Sequence, residues 1–129
     1  VQRHQFPHGI PECGTDALRM ALCAHNAHGD DVRVAVPAIL CHRHFCNKIW
    51  NALKFVLANV GTAMVPDVPE EVAPWHPLDR WVLSRLAWTA GECQRRMEAM
   101  EVHGAIAAIQ RFWLRSFCDV YLVGAATSV

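Results

Sequence analysis

Lys48 and Phe55 stand seven residues apart in the stretch His44-Phe45-Cys46-Asn47-Lys48-Ile49-Trp50-Asn51-Ala52-Leu53-Lys54-Phe55, which reads as helix. At about 100° per residue the two lie almost in line. They sit well away from the apolar stripe formed by Phe45, Cys46, Ile49, Leu53, Val56 and Val60. An ammonium and a phenyl ring two turns apart, off the core, suit a stacked base and its phosphate, the way single-stranded RNA loops are read. The alternative is that a neighbouring helix buries Phe55, since scattered surface aromatics need no function.

A second group of reactive side chains, Cys41-His42-Arg43-His44-Phe45-Cys46, has the residue types of a zinc site, and His25 and His28 could add ligands. Helical geometry argues against it. Cys41, His44 and Cys46 point in widely different directions, and only His42 and Cys46 share a face. A structural zinc site needs four convergent ligands, usually with spacings such as C-x₂-C that the chain lacks. Nucleophilic catalysis needs a base held beside an activated Ser or Cys, with a third group to orient it. The eight histidines supply bases, but there is no G-x-S-x-G elbow, P-loop or dinucleotide fingerprint. The reading is no catalytic residue and no metal ligand.

The chain has 129 residues with 53% hydrophobic content, enough for one domain with a core. Lys+Arg and Asp+Glu are 12 each, so any RNA contact is local and does not rest on a global basic field. Arg43, Lys48 and Lys54 share one acid-free helix, whereas Asp67, Glu70 and Glu71 collect after it. Lys48 and Lys54 are the only lysines; the other basic residues are arginines, suited to planar and bidentate contacts. Six cysteines without a signal peptide read as reduced intracellular thiols. Cys13, Cys23, Cys46, Cys93 and Cys118 lie in apolar contexts. No run of apolar residues is long enough to span a membrane. The first residue is Val1, which reads as a piece of something longer.

The elements that must position these residues are helical. Pro7, Gly9, Pro11 and Gly14 make residues 1–14 a connecting loop. Thr15 or Asp16 is placed to cap a helix that ends near His28-Gly29. Val32, Val34 and Val36 alternate, but Pro37 follows, so an extended connector is expected there instead of a strand. A long helix runs from about Ala38 to Val60, with Gly61 to stop it. Pro66, Pro69, Pro74 and Pro77 mark an exposed loop. A third helix from about Leu78 to Met100 presents Val82, Leu86, Ala90, Cys93, Met97 and Met100 to the first long helix. Gly104 opens the last, with Ile106, Ile109, Trp113, Phe117 and Val120 inward. Long helices with short loops predict an all-α fold, an antiparallel helical bundle preceded by a short junction helix. The predicted division is 1–36 junction segment, 37–122 bundle and 123–129 tail. Trp81, Trp88, Phe112 and Tyr121 fall beside the stripes, more apolar surface than a free-standing bundle shows.

Several stretches carry a family likeness. Phe6-Pro7-His8-Gly9-Ile10-Pro11-Glu12-Cys13-Gly14-Thr15-Asp16-Ala17-Leu18-Arg19 resembles the segment after the KMSKS loop of eukaryotic-type valyl-tRNA synthetases. Arg43-His44-Phe45-Cys46-Asn47-Lys48-Ile49-Trp50-Asn51-Ala52 resembles the first helix of their anticodon-binding domain. Asp79-Arg80-Trp81-Val82-Leu83-Ser84-Arg85-Leu86 and Phe117-Cys118-Asp119-Val120-Tyr121-Leu122 are similar to the next two helices. The likeness covers about residues 5–122 in order. Isoleucyl and leucyl enzymes share the architecture but not this combination of motifs.

The resemblance implies a junction followed by a partial anticodon-binding bundle, with the tRNA(Val) anticodon stem-loop as partner. It places Lys48, Phe55 and Leu122 near the anticodon, with Arg43, Asn51 and Lys54 as neighbours able to touch phosphate. The HIGH and KMSKS signatures and the editing domain are absent from the chain, so the resemblance implies no ligase step and no cofactor here. ATP and magnesium would belong to the parent's catalytic core. In the family the chain continues from the final leucine into further helices that would cover the exposed aromatics. Here it turns instead to Val123-Gly124-Ala125-Ala126-Thr127-Ser128-Val129. Asn51-Ala52-Leu53-Lys54-Phe55-Val56-Leu57 and Arg85-Leu86-Ala87 are more similar to the mitochondrial enzyme than to the cytosolic one, which implies the mitochondrial matrix, with the cytoplasm as alternative. The second functional reading is a truncated or diverged helical interaction module with no RNA-binding activity.

Overall fold

The computed structural model describes residues 6–25, 34–60 and 76–127, and these form an all-α structure. Helix α1 spans Thr15–Ala24, α2 Val36–Val60, α3 Pro77–Glu98 and α4 Val102–Arg111. From Arg111 the helical backbone continues through a π-helical segment, Phe112–Leu122, into a short α5, Val123–Thr127. The expected stop at Gly61 and the proline-rich loop before Trp75 lie outside the described residues. Helix α1 ends at Ala24, short of the expected His28-Gly29, because His25 turns to extended backbone (φ -78°, ψ 131°) and its amide closes the last turn on the Leu22 carbonyl. Val36 belongs to the first turn of α2, two residues ahead of the expected start.

Local chemistry explains the helix ends. Gly14, at φ 83°, occupies the N-cap of α1, a left-handed position that favours glycine, and no side chain caps the helix. Thr15 and Asp16, the expected caps, are therefore inside the first turn, where the Asp16 carboxylate still faces the positive end of the helix dipole. At α3, His76 Nδ1 accepts from the Leu78 amide at 3.3 Å and Pro77 fills the first turn, where a missing N–H costs nothing. The other end of α3 closes as a Schellman motif. The Glu101 amide donates to the Arg96 carbonyl at 2.8 Å and the Met100 amide to that of Met97 at 3.0 Å, with Met100 at φ 60°.

Packing follows the small residues. Ala17 and Ala21 of α1, Ala52 of α2, Ala105 and Ala108 of α4 and Ser116 are buried, joined by Phe45, Val82, Thr89 and Phe112. Helix α1 packs on both α2 and α4. Helix α3 packs on α4 and the π segment, not on α2 as its stripe led us to expect. At Gly104 the two helices come close: a Cβ there would lie 2.9 Å from Arg96 Cδ, so Arg96, paired with Glu92 at 2.7 Å and with Glu101, would have to shift.

The buried faces are correspondingly rotated from the expected ones. On α3, Val82 and Thr89 are buried and Leu86 and Met97 exposed, and Met100, in the closing turn, is exposed too. On α4 and the π segment, Ile109 and Val120 are exposed, whereas Ala105, Ala108 and Phe112 form the inward row. The reason is steric. Two helices in close approach exclude long side chains from the line of contact. Phe112, expected at the surface, is core; it stacks on Phe117 at 6.3 Å, and Phe117 stacks on Tyr121 at 5.8 Å.

Candidate nucleic-acid interface

The face that α2 leaves uncovered is set by what it buries. Phe45 and Ala52, seven residues apart, point inward, flanked by the half-buried His42, Ile49 and Val56. The His42 ring lies 3.2 Å from the Gln110 amide of α4 and fixes the helix rotation from one end. Leu53, expected in the stripe, is exposed. With that rotation Lys48, Asn51 and Phe55 share the outward side, and Phe55 keeps 45% of its surface in solvent. Among the described residues no neighbouring helix seals the ring.

The Lys48 ammonium makes a tertiary contact, with Nζ 3.2 Å from Oδ1 of Asp119 in the π segment. Asp119 Oδ2 lies 3.6 Å from Nη1 of Arg115, one helical step earlier. The contact seats α2 beside the segment that ends in Leu122, which is half-buried three residues beyond Asp119. Next to it, burial pushes the Cys118 thiol pKa up, with the Lys48 charge acting in the opposite direction.

The remaining predicted residues divide. Lys54 lies with Nζ 5.5 Å from the centre of the Trp50 ring, a cation–π contact on an exposed tryptophan. Arg43 is elsewhere: it lines a shallow hollow with Glu12, Cys13, Asp16 and Cys46 at the start of α1. The structure thus groups Lys48, Asn51 and Phe55, brings the segment bearing Leu122 to the same helix, and separates Arg43 from them. Asp119, Arg115 and Trp50 are the residues that sequence reasoning missed. Arg115 and Asp119 carry the i,i+4 signal of a helical ion pair, but nothing local announces a partner 71 positions away.

The Cys41–Cys46 cluster diverges as helix geometry requires. Cys41 and His44 are exposed, His42 turns to Gln110, and Cys46 faces the hollow beside α1. Among the described residues no three His, Cys, Asp or Glu side chains converge on a point where a metal ion would sit, and none of their helices is long and apolar enough to cross a membrane.

Comparison with known proteins identifies the setting. The anticodon-binding domain of tRNA ligase matches residues 79–127, from the start of α3 to the end of α5. The mitochondrial valine--tRNA ligase of Mus musculus is 52% identical over 95% of this chain and 12% of its own length. That of Homo sapiens is 50% identical over the same shares. The valine--tRNA ligase of Takifugu rubripes is 45% identical over 95% of the chain and 10% of its own length. The chain therefore spans about one-eighth of the length of the mitochondrial relatives it matches. No solved structure matches it.

Proposed function

We infer, from the valine--tRNA ligase family to which the sequence of this chain belongs, that the chain contacts the anticodon stem-loop of tRNA(Val). The longer enzyme performs the ligation, with ATP and magnesium at a catalytic core that this chain's motifs do not supply. The observation that carries the reading is Phe55, an uncovered ring on the same side of α2 as the Lys48 ammonium. A base stacked on Phe55 places its phosphate toward Lys48, with Asn51 between them able to donate to sugar or phosphate oxygens. Leu122 offers an apolar edge from the neighbouring segment. Lys54 reaches the loop from the Trp50 side, and Arg43 touches phosphate away from the stacked base, beside the start of α1.

The mammalian relatives named above are mitochondrial enzymes, and the identity to them supports the mitochondrial matrix as the working compartment. The test of function is fluorescence anisotropy with the 129-residue chain and a labelled tRNA(Val) anticodon stem-loop, against a loop of altered anticodon. Preference for the valine loop supports the reading. Equal affinity for both loops contradicts anticodon recognition. A second reading, a protein-docking helical module, is favoured by the exposed Trp50, Leu53 and Leu57 on α2; absence of binding to either loop selects it.

A further inference from the structure

Resting on the RNA-binding reading, we propose that Asp119 is a positioning residue for the interface, holding Lys48 and Arg115 as a paired cation site for RNA phosphate. One carboxylate serves both: Oδ1 is 3.2 Å from Lys48 Nζ and Oδ2 is 3.6 Å from Arg115 Nη1. The pair is poorly placed to hold the fold together. Lys48 and Asp119 are close to half exposed and Arg115 is four-fifths exposed, and ion pairs this open to water contribute little to stability.

What the carboxylate does supply is order. A lysine ammonium on its four-carbon stem samples many rotamers, and an arginine loses comparable freedom when it binds. Fixing both before RNA arrives removes that loss from the binding step. Each cation still has donors to offer: the ammonium carries three and gives Asp119 one, and the guanidinium carries five and faces the carboxylate only as an ion pair at 3.6 Å. Two positive charges against one negative leave the site net positive, as phosphate requires. The site also spans two elements, with Lys48 from α2, which carries Phe55, and Arg115 from the π segment, which carries Leu122. Arg115 becomes a binding residue in its own right.

The test separates positioning from simple charge. Asp119→Asn removes a negative charge from an RNA interface, so bulk electrostatics alone makes binding tighter; positioning makes it weaker. The expected result with the 129-residue chain and the tRNA(Val) anticodon stem-loop is a three- to tenfold loss of affinity. Asp119→Glu restores most of it, Arg115→Ala lowers it by a similar factor, and in a Lys48→Ala background Asp119→Asn has a much smaller effect. That last dependence ties the effect to Lys48, and an unchanged thermal midpoint in Asp119→Asn separates positioning from a structural role. Thermal unfolding of each variant is followed in parallel; should Asp119→Asn fail to fold, Arg115→Ala and Asp119→Glu carry the test. Wild-type affinity or better in a folded Asp119→Asn overturns the positioning role alone. A wild-type chain that binds no stem-loop overturns it together with the proposed function.

Discussion

The hydroxyl of Tyr121 donates to Oδ1 of Asp79 at 2.9 Å, tying the end of the π segment to the first turn of α3 across 42 positions of sequence. A close approach nearby reinforces the tie, because a Cβ on Gly124 would fall 2.6 Å from Leu78 Cδ2. The Tyr121–Asp79 bond therefore fixes where Leu122 stands relative to α3.

Burial, then the bond to Asp79, raises the Tyr121 pKa above the ordinary 10.0. The neutral phenol is the form the fold favours, so its contribution is complete below the ordinary value and is lost as pH rises through the raised one. Tyr121→Phe is expected to cost about 1 kcal/mol at neutral pH. The gap between wild type and variant in urea unfolding should narrow as pH is taken from 8 into the strongly alkaline range.

Met100 holds a left-handed backbone conformation at the end of α3 with 85% of its surface exposed. A side chain there costs conformational energy and gains no packing. Met100→Gly is expected to raise stability by up to about 1 kcal/mol, read as a higher denaturation midpoint. A loss of stability would mean that the turn is held by contacts of the methionine itself.

Helix α4 buries Ala105 and Ala108 and leaves Ile109 exposed, and the Ala105 carbonyl accepts from Cys93 Sγ of α3 at 3.6 Å. Ala105→Leu is expected to destabilise by about 1–3 kcal/mol through overpacking. Ile109→Ala, an exposed site, should shift stability by no more than about 0.5 kcal/mol. The reverse ranking would restore the larger side chains to the core.

These contrasts show what the sequence makes legible. The helices come directly from periodicity and from breakers such as Pro77 and Gly14, and their ends fall within a few residues. The faces do not, because hydrophobic periodicity weights a residue by size, whereas close helix packing selects alanine and glycine and leaves Leu53, Leu86 and Ile109 outside. The outward side of α2 survives this rotation, since Lys48 and Phe55 lie far enough from either stripe centre. Leu122 enters only through family resemblance, and Asp119 could not be paired with Lys48 before the structure joined α2 to the π segment. The 1–36 segment likewise gives no local hint that α1 packs on both α2 and α4.

Lys48→Ala should weaken stem-loop binding and lower the steepness of its salt dependence by roughly 0.7 in the slope of log K against log salt, the amount one phosphate contact to a single strand contributes. Asn51→Ala, which removes no charge, should leave that slope unchanged. Titrations at four or five salt concentrations distinguish the two.

The most direct measurement is affinity for the tRNA(Val) anticodon stem-loop in wild type, Phe55→Ala and Phe55→Trp. An aromatic platform typically contributes about 1–3 kcal/mol per stacked base, so Phe55→Ala should bind between about five- and 150-fold more weakly. Phe55→Trp should remain close to wild type, since either ring can stack. Unchanged affinity in a folded Phe55→Ala variant would contradict the account.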